Sequence, residues 1–524
     1  METPAHSHAL TIVSSFAALY FAYQLLNVIY TIFFHPLSNV PGPWYLAASR
    51  IPYIRHSLNG TLLSWMQELH EKYGEIVRYS PNEVSVISGK EQNPWQEIYG
   101  FRTGKQKHTG SFEKDPAWYP TPMGGVPHLI AAPGDNHGRQ RRVISHAFSD
   151  KALREQEGLL QSYVDLLISR FRDISDHCPD YASGGDGWDS TGKIELCKWY
   201  NGFTFDVITD LSFGHPFGSL ADMKQHLWVS NILESLKAVK FAYVTYYFPI
   251  VRNMGSLIIN KSQIQKRAEL FQLVKAKTAD RVAAETQRPD FISSILQNSE
   301  GEGKKGEGLR KGELESNLGI FLVAGTETTA TTLSIGSYLL LEHPAVMDKL
   351  KHEIRSRYKS NGEITVDSLV HLEYLNAFIH EILRCYPPVP AGFLRKVPET
   401  GADVAGVHFS GKGNASISVS QYVANRSALN FAEPTRFAPE RWLSKPPQKF
   451  ANDNLAIVQP FSFGPRNCLG KNLAYAELRL VFAKMLFNFD IELDPRSAGW
   501  EKRLEHHTLW YRPDLWVKLT AVTE

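Results

Sequence analysis

Phe461, Gly464, Arg466, Cys468 and Gly470 lie within ten residues, FSFGPRNCLG, and the next segment, LGKNLAYAELRLVFAKMLFNF, has apolar residues at helical spacing. A cysteine in that place sits beside the unpaired N–H groups and positive dipole end of a helix, a setting that favours a thiolate able to hold iron. The two glycines suit a tight turn or close approach to a flat ligand. Arg466 offers a forked donor for a carboxylate two residues from the sulfur. A free core cysteine would need none of these neighbours. A second chemical segment interrupts a long apolar helical stretch, ESNLGIFLVAGTETTATTLSIGSYLLLEH. Gly325 and Thr328 are three apart and Ala324 and Thr328 four apart, so two small residues would leave space on the face into which a hydroxyl points. Thr328 would then hydrogen-bond dioxygen, with Glu327 supplying protons through water. A back-bonding threonine beside a surface glutamate fits the same residues equally well.

The decapeptide resembles the haem-binding signature of the cytochrome P450 superfamily, F-x-x-G-x-R-x-C-x-G, at every specified position. AGTETT resembles the oxygen-activation motif of the same superfamily and lies on the expected side of the cysteine loop. EILR (Glu381 to Arg384) followed by FAPERW with Arg441 resembles the family's Glu-Arg-Arg network, which braces the cysteine loop. GDNHGRQRRVISHAFS resembles its haem-contacting helix. Many members carry tryptophan four residues before the arginine of that helix, whereas here His137 precedes Arg141, as in many fungal members. Arg395, after PPVPAGFL, matches a further propionate-contacting arginine. The resemblance implies haem b held axially by Cys468, with Phe461, Gly464, Arg466, Gly470, His137, Arg141 and Arg395 around it. It assigns oxygen handling to Thr328, Glu327, Gly325 and Ala324. It also implies electrons from NADPH through a separate cytochrome P450 reductase, with cytochrome b5 as a further donor. The basic residues Arg139, Arg141 and Arg142 read equally as a solvated face, which would attract an acidic donor.

Across 524 residues the net charge is +2, and no dense basic stripe interleaved with aromatics occurs, which argues against a nucleic-acid binder. Cys178, Cys197, Cys385 and Cys468 are scattered without a C-x-x-C pair, fitting neither a disulfide scaffold nor structural zinc and pointing to a reducing compartment. The sequons at Asn59, Asn260, Asn414 and Asn425 then read as chance matches. Gly301, Gly303 and Gly306 have G-x-G-x-x-G spacing, but they sit in a Lys/Glu-rich run with no strand before it, so they read as a solvated linker. With no nucleotide-binding unit of its own, the chain needs electrons from another protein.

Thr3 to Ser49 contains no Asp, Glu, Lys or Arg, and Ala9 to Phe34 is almost wholly apolar. As a helix, that stretch reaches about 39 Å, enough to cross a hydrocarbon core of about 30 Å with tilt. A cleaved signal peptide would have a shorter apolar core after a basic start. Glu2 before the span and Arg50 and Arg55 after it favour a cytosolic body, hence a single-pass endoplasmic reticulum protein. Pro36, Pro41, Gly42 and Pro43 then end the helix in a stiff turn.

Helical patterns dominate the rest, with strand-like segments at Glu75 to Ser88 and between Ala391 and Val423. The expected fold is mainly α with a small β-rich subregion, a cytochrome P450 fold preceded by a single N-terminal transmembrane helix. Residues 1–35 form the anchor, 36–43 the proline-rich hinge and 44–524 the haem-thiolate catalytic domain. The Gly/Pro-rich span from Phe101 to Pro133 and the aromatic FAYVTYYFPIV (Phe241 to Val251) would roof an apolar cavity, dip into the membrane or pack as core. General likeness points to fungal members that decorate terpenoid and polyketide-derived metabolites. The expected activity is hydroxylation or epoxidation of a lipophilic small molecule. The rivals are a haem-thiolate isomerase or dehydratase needing no external electrons, and a membrane haem- or lipid-binding protein without turnover.

Overall fold

The computed structural model describes residues 4–89, 93–102, 110–119, 122, 124–177, 186–229, 243–248, 251, 261–284, 288–299 and 308–522. Gly301, Gly303, Gly306, Cys178, Asn260 and parts of the 101–133 and 241–251 segments lie outside the described residues. The chain is mainly helical, with small sheets. It divides into two compact units, residues 1–115 with 392–424, and residues 116–391 with 425–524. No linker composition marks this division, because one unit is assembled from two stretches far apart in sequence.

The first unit begins with helix Pro4–Phe33, whose apolar side chains, Phe16, Leu19 and Phe21 among them, are exposed. The turn that follows is clamped by Arg78. Its guanidinium donates to the carbonyls of Thr31 (2.9 Å), Leu37 (3.3 Å) and Pro81. Its backbone N–H donates to Pro41 O at 2.7 Å. Gly42 permits this approach, since a Cβ there would lie 2.3 Å from Arg78 O. The clamp rests on a four-stranded sheet in which β1 (Ile76–Ser80) pairs antiparallel with β2 (Glu83–Val86). Pro81 and Asn82 make the turn between them, as their residue types predict. β2 runs parallel to β7 (Ser416–Val419), which pairs with β4 (Arg395–Lys396). β5 (Ala402–Val404) and β6 (Val407–Phe409) form a separate hairpin.

The second unit is built around helix Lys311–Glu342, which is long and apolar enough to cross a membrane but mostly buried, and is therefore a core helix. It packs along helix Leu196–Phe213 and against helix Lys471–Asn488, the segment that follows Cys468. At Gly336 a Cβ would lie 2.5 Å from Phe482 and 2.6 Å from Ile382, so the glycine permits the close packing there. Tyr200 OH lies 2.9 Å from Ser337 Oγ, linking the first two helices. Two small sheets went unforeseen in the sequence. β3 (Ile194–Glu195), β8 (Phe489–Leu493) and β11 (Trp516–Ala521) form one, with β11 central, and β9 (Glu505–His507) and β10 (Leu509–Tyr511) form a hairpin. Their strands are short, and β8 follows the Lys471–Asn488 helix directly, with no turn residues between them to mark its start.

A buried polar knot fixes the chain that leads to the cysteine loop. Glu381 and Arg384, on helix Glu373–Cys385, form a forked pair with two contacts of 2.8 Å. Arg441 Nε adds a third at 3.2 Å, and all three side chains are fully buried. Trp442 Nε1 and Ala438 N also donate to Glu381, at 2.9 and 2.8 Å. The arginines use their other donors on the carbonyls of Asn425, Ala432, Glu433, Pro434 and Arg436, and Arg441 also meets Asp453. Residues 425–453 are thereby pinned from beneath. Removing one partner strands buried charge. Glu381→Ala is therefore expected to cost about 3–5 kcal/mol of stability, read as a lowered thermal or urea midpoint.

Candidate active site

The loop carrying Cys468 is held by its own backbone. Cys468 N–H donates to Phe461 O at 2.8 Å, which closes the decapeptide into a loop. Ser462 and Gly464 take positive φ values of 60° and 73° inside it, so the turn assigned to Gly464 is real. Gly470 has φ −78° and needs no such freedom. Instead, a Cβ added there would meet no protein atom within 4 Å, so space lies beside the cysteine. Phe461 packs its ring 5.1 Å from that of Tyr475, on the helix that follows.

Cys468 is exposed, yet burial pushes its thiol above the ordinary range. The two facts fit together if protein crowds the sulfur on most sides and leaves one side reachable. The Gly470 N–H at the helix start and the charges of Arg141 and Lys471 pull the other way, but burial outweighs them. The helix start and the neighbouring cations thus favour the thiolate, and burial opposes it. A bound cation of soft character would secure it.

Helix Gly134–Ile144 brings Arg141 to the same loop. Its guanidinium donates to Asn467 O at 2.6 Å and to the Asn467 side chain, one residue from the sulfur. Arg466 donates to Ala132 O at 2.9 Å, close before that helix. His137 is buried on the helix itself. Arg395 belongs to the first unit. It is buried with its guanidinium 5.4 Å from the Tyr99 ring, and its Nε has no partner among the described residues. An unpaired buried donor of that kind fits an anionic ligand group.

Burial of the central helix is interrupted near its middle, from Gly319 to Thr328. Ala324 is exposed and Val323, Gly325 and Thr328 are partly so, whereas the helix is buried on both sides of this stretch. Thr328 Oγ1 donates to Ala324 O at 2.7 Å. The hydroxyl is thus back-bonded, as one sequence reading had it, but it stays accessible and its lone pairs remain free to accept. Gly325 does not open space beside Thr328. A Cβ there would lie 2.8 Å from Ile208, so this glycine lets helix Leu196–Phe213 come close. Glu327 is neither at the surface nor on the Thr328 face. It is fully buried and paired with Arg512 at 3.0 Å. Burial raises its carboxyl and Arg512 opposes the rise. Two residues on, Thr329 is hydrogen-bonded to Glu477 of helix Lys471–Asn488, whose carboxyl burial pushes up to about 8.

These features suit haem. Cys468 is exposed, and a Cβ at Gly470 would meet no atom within 4 Å beyond its chain neighbours, so the loop leaves room for a flat ring near the sulfur. Among the described residues, no group of three or more His, Cys, Asp or Glu is placed to hold a bare metal ion. Sequence reasoning missed Asn467, Asp453, Trp442 and Arg512. Each meets its partner only through the fold, and no local spacing marks them.

Comparison with known proteins agrees. A family profile described as Cytochrome P450 matches residues 40–514. The chain is 44% identical to cytochrome P450 monooxygenase traB of Penicillium crustosum, over 98% of this chain and 97% of that protein. It is 39% identical to cytochrome P450 monooxygenase lcsI of Purpureocillium lilacinum, over 96% and 93%. To cytochrome P450 monooxygenase astJ of Aspergillus oryzae it is 38% identical, over 95% of each. A haem cofactor and electrons from a redox partner follow from the family. With the cysteine loop, the Glu-Arg-Arg knot and the interrupted central helix in one chain, the protein belongs to the cytochrome P450 family and is a P450 monooxygenase.

Proposed function

We propose that this enzyme hydroxylates or epoxidises a lipophilic small molecule at a membrane surface, drawing electrons from NADPH through a separate reductase. The observation that carries the reading is the presence in one compact unit of an exposed Cys468 in its closed loop and an accessible Ala324 and Thr328 on a largely buried helix. Haem bound through Cys468 supplies an iron that activates dioxygen, with the thiolate favouring O–O cleavage. Arg466, Arg141 and His137 would meet its propionates; the family likeness makes Arg395 a further candidate, its buried Nε being without a partner among the described residues. Phe461 and Gly470 would shape the loop against the ring.

The chain's own part in the reaction is to place protons. Monooxygenation releases one oxygen atom as water, so two protons must reach the site for each product formed. Thr328 Oγ1 is fixed by its bond to Ala324 O, which turns its lone pairs toward the accessible side, where they can take a hydrogen bond from water. Glu327, the next residue, is the titratable group nearest in sequence. Mere haem or lipid binding would need neither residue.

Helix Pro4–Phe33 supports the membrane assignment through its exposed apolar surface, and the Arg78 clamp on Thr31, Leu37 and Pro41 fixes the chain just after it. A single-pass anchor in the endoplasmic reticulum with a cytosolic body fits Arg50 and Arg55 beyond the span. The likeness to fungal monooxygenases favours a place in secondary-metabolite biosynthesis, with a terpenoid or polyketide-type substrate. Cytochrome b5 is a candidate second donor.

Two measurements test this reading. In membranes from cells making the protein with a reductase, isotopically labelled dioxygen should place one labelled atom in the product, and only with NADPH. Product formed without reductase or NADPH would instead indicate an isomerase or dehydratase. Thr328→Ala should raise peroxide released per NADPH and lower product per NADPH by about tenfold or more, while Thr328→Ser restores coupling. Unchanged coupling in Thr328→Ala would remove Thr328 from proton handling.

A further inference from the structure

Glu327 is held in an unusual way for a buried carboxylate. Its Oε2 accepts from Arg512 Nη2 at 3.0 Å, while its Oε1 is buried without a partner among the described residues. Two neighbours on the same helix share that condition: Thr326 Oγ1 and Thr331 Oγ1 are buried and unpartnered too. Glu327 and Thr331 are four apart and so lie on one face. Native interiors carry few unsatisfied polar atoms, and a run of three within two turns calls for a reason.

Arg512 is fixed from several sides. Nη1 donates to Ser334 Oγ at 3.1 Å and Nη2 to Asn201 Oδ1 at 2.9 Å. Ser334 lies two turns beyond Glu327 on the same face, and Asn201 comes from helix Leu196–Phe213. The arginine directly follows β10, where Trp510 Nε1 donates to Pro387 O at 2.8 Å, and precedes Pro513, whose carbonyl accepts from Trp500 Nε1 at 2.8 Å. The Arg512 and Glu327 side chains are 3% and 1% exposed. A guanidinium anchored on two helices and a hairpin cannot follow the carboxylate if it moves.

Building on the proton-delivery role proposed above for Glu327, we propose that Arg512 is a positioning residue that keeps this carboxylate ionised and grips it by one oxygen, leaving Oε1 to take and pass on a proton. Burial raises the Glu327 carboxyl, and the fixed positive charge of Arg512 opposes the rise. A two-oxygen fork, like that of Glu381 with Arg384, would fill both oxygens and end the exchange. For each proton delivered Oε1 gains one and loses one, and two such cycles supply the two protons that each product requires. The arginine does not titrate, so the carboxylate is restored without any net change in charge.

The test uses the full-length haem-loaded protein with its reductase, and two readouts. By infrared difference spectroscopy at neutral pH, Arg512→Met should show the carbonyl stretch of a protonated carboxylic acid, absent from the unsubstituted protein and lost again in Arg512→Met/Glu327→Gln. In turnover, Arg512→Met and Glu327→Gln should each lower product per NADPH about tenfold, and the double variant should be no worse than either single one. Arg512→Lys, which keeps the charge, should show no acid band. A folded Arg512→Met without the band overturns the proposal, as does a double variant whose loss is the product of the two single losses. Should Arg512→Met not fold, Arg512→Gln removes the charge while keeping a donor, and absence of the band there is equally decisive. If the unsubstituted protein makes no oxygenated product at all, the monooxygenation reading of its function fails, while the infrared readout still decides what Arg512 does to Glu327.

Discussion

A carboxylate shut away from water must find fixed donors, and Glu381 accepts from five: two on Arg384, one on Arg441, the Trp442 indole and the Ala438 backbone. The arginines in turn take up backbone carbonyls from Asn425 to Arg436, which leaves that irregular stretch little freedom. Such a knot is costly to bury and intolerant of a missing member. What it secures is a loop geometry that hydrophobic packing alone would specify poorly. The Phe461–Cys468 closure and the positive φ at Ser462 and Gly464 lie directly downstream on the chain.

Charge placement then divides the work. At Cys468 burial raises the thiol while the helix start and the neighbouring cations oppose the rise, and iron, in the proposed reading, would complete the stabilisation of the thiolate. At Glu327 the protein brings its own cation, Arg512, against the rise that burial causes. Cys197 and Cys385 show the contrast. They are buried, burial pushes both thiols up, for Cys385 to about 11, and neither sits in a loop with a reachable side.

How far the sequence could be read follows from distance along the chain. The decapeptide and AGTETT were legible because their parts lie within a few residues and their spacing carries the geometry. The Glu381–Arg384 pair was also local, and only likeness to a family joined it to Arg441. Arg512 and Glu327 are separated by 185 residues, and no periodicity connects them. The direction of Gly325 depended on Ile208, a residue of another helix, and the short strands near the C-terminus pair with partners that pattern alone could not choose. Local spacing thus showed which residues could act, and tertiary packing decided which way they face.

The central claim is that Cys468, alone among the cysteines, is the sulfur ligand of a haem. Its most direct test is the absorption spectrum of the reduced protein under carbon monoxide, compared between the unsubstituted chain and Cys468→Ala. The account predicts a thiolate-type band in the first and its loss in the second, with Cys385→Ala and Cys197→Ala unchanged. A thiolate-type band that survives in Cys468→Ala would contradict it.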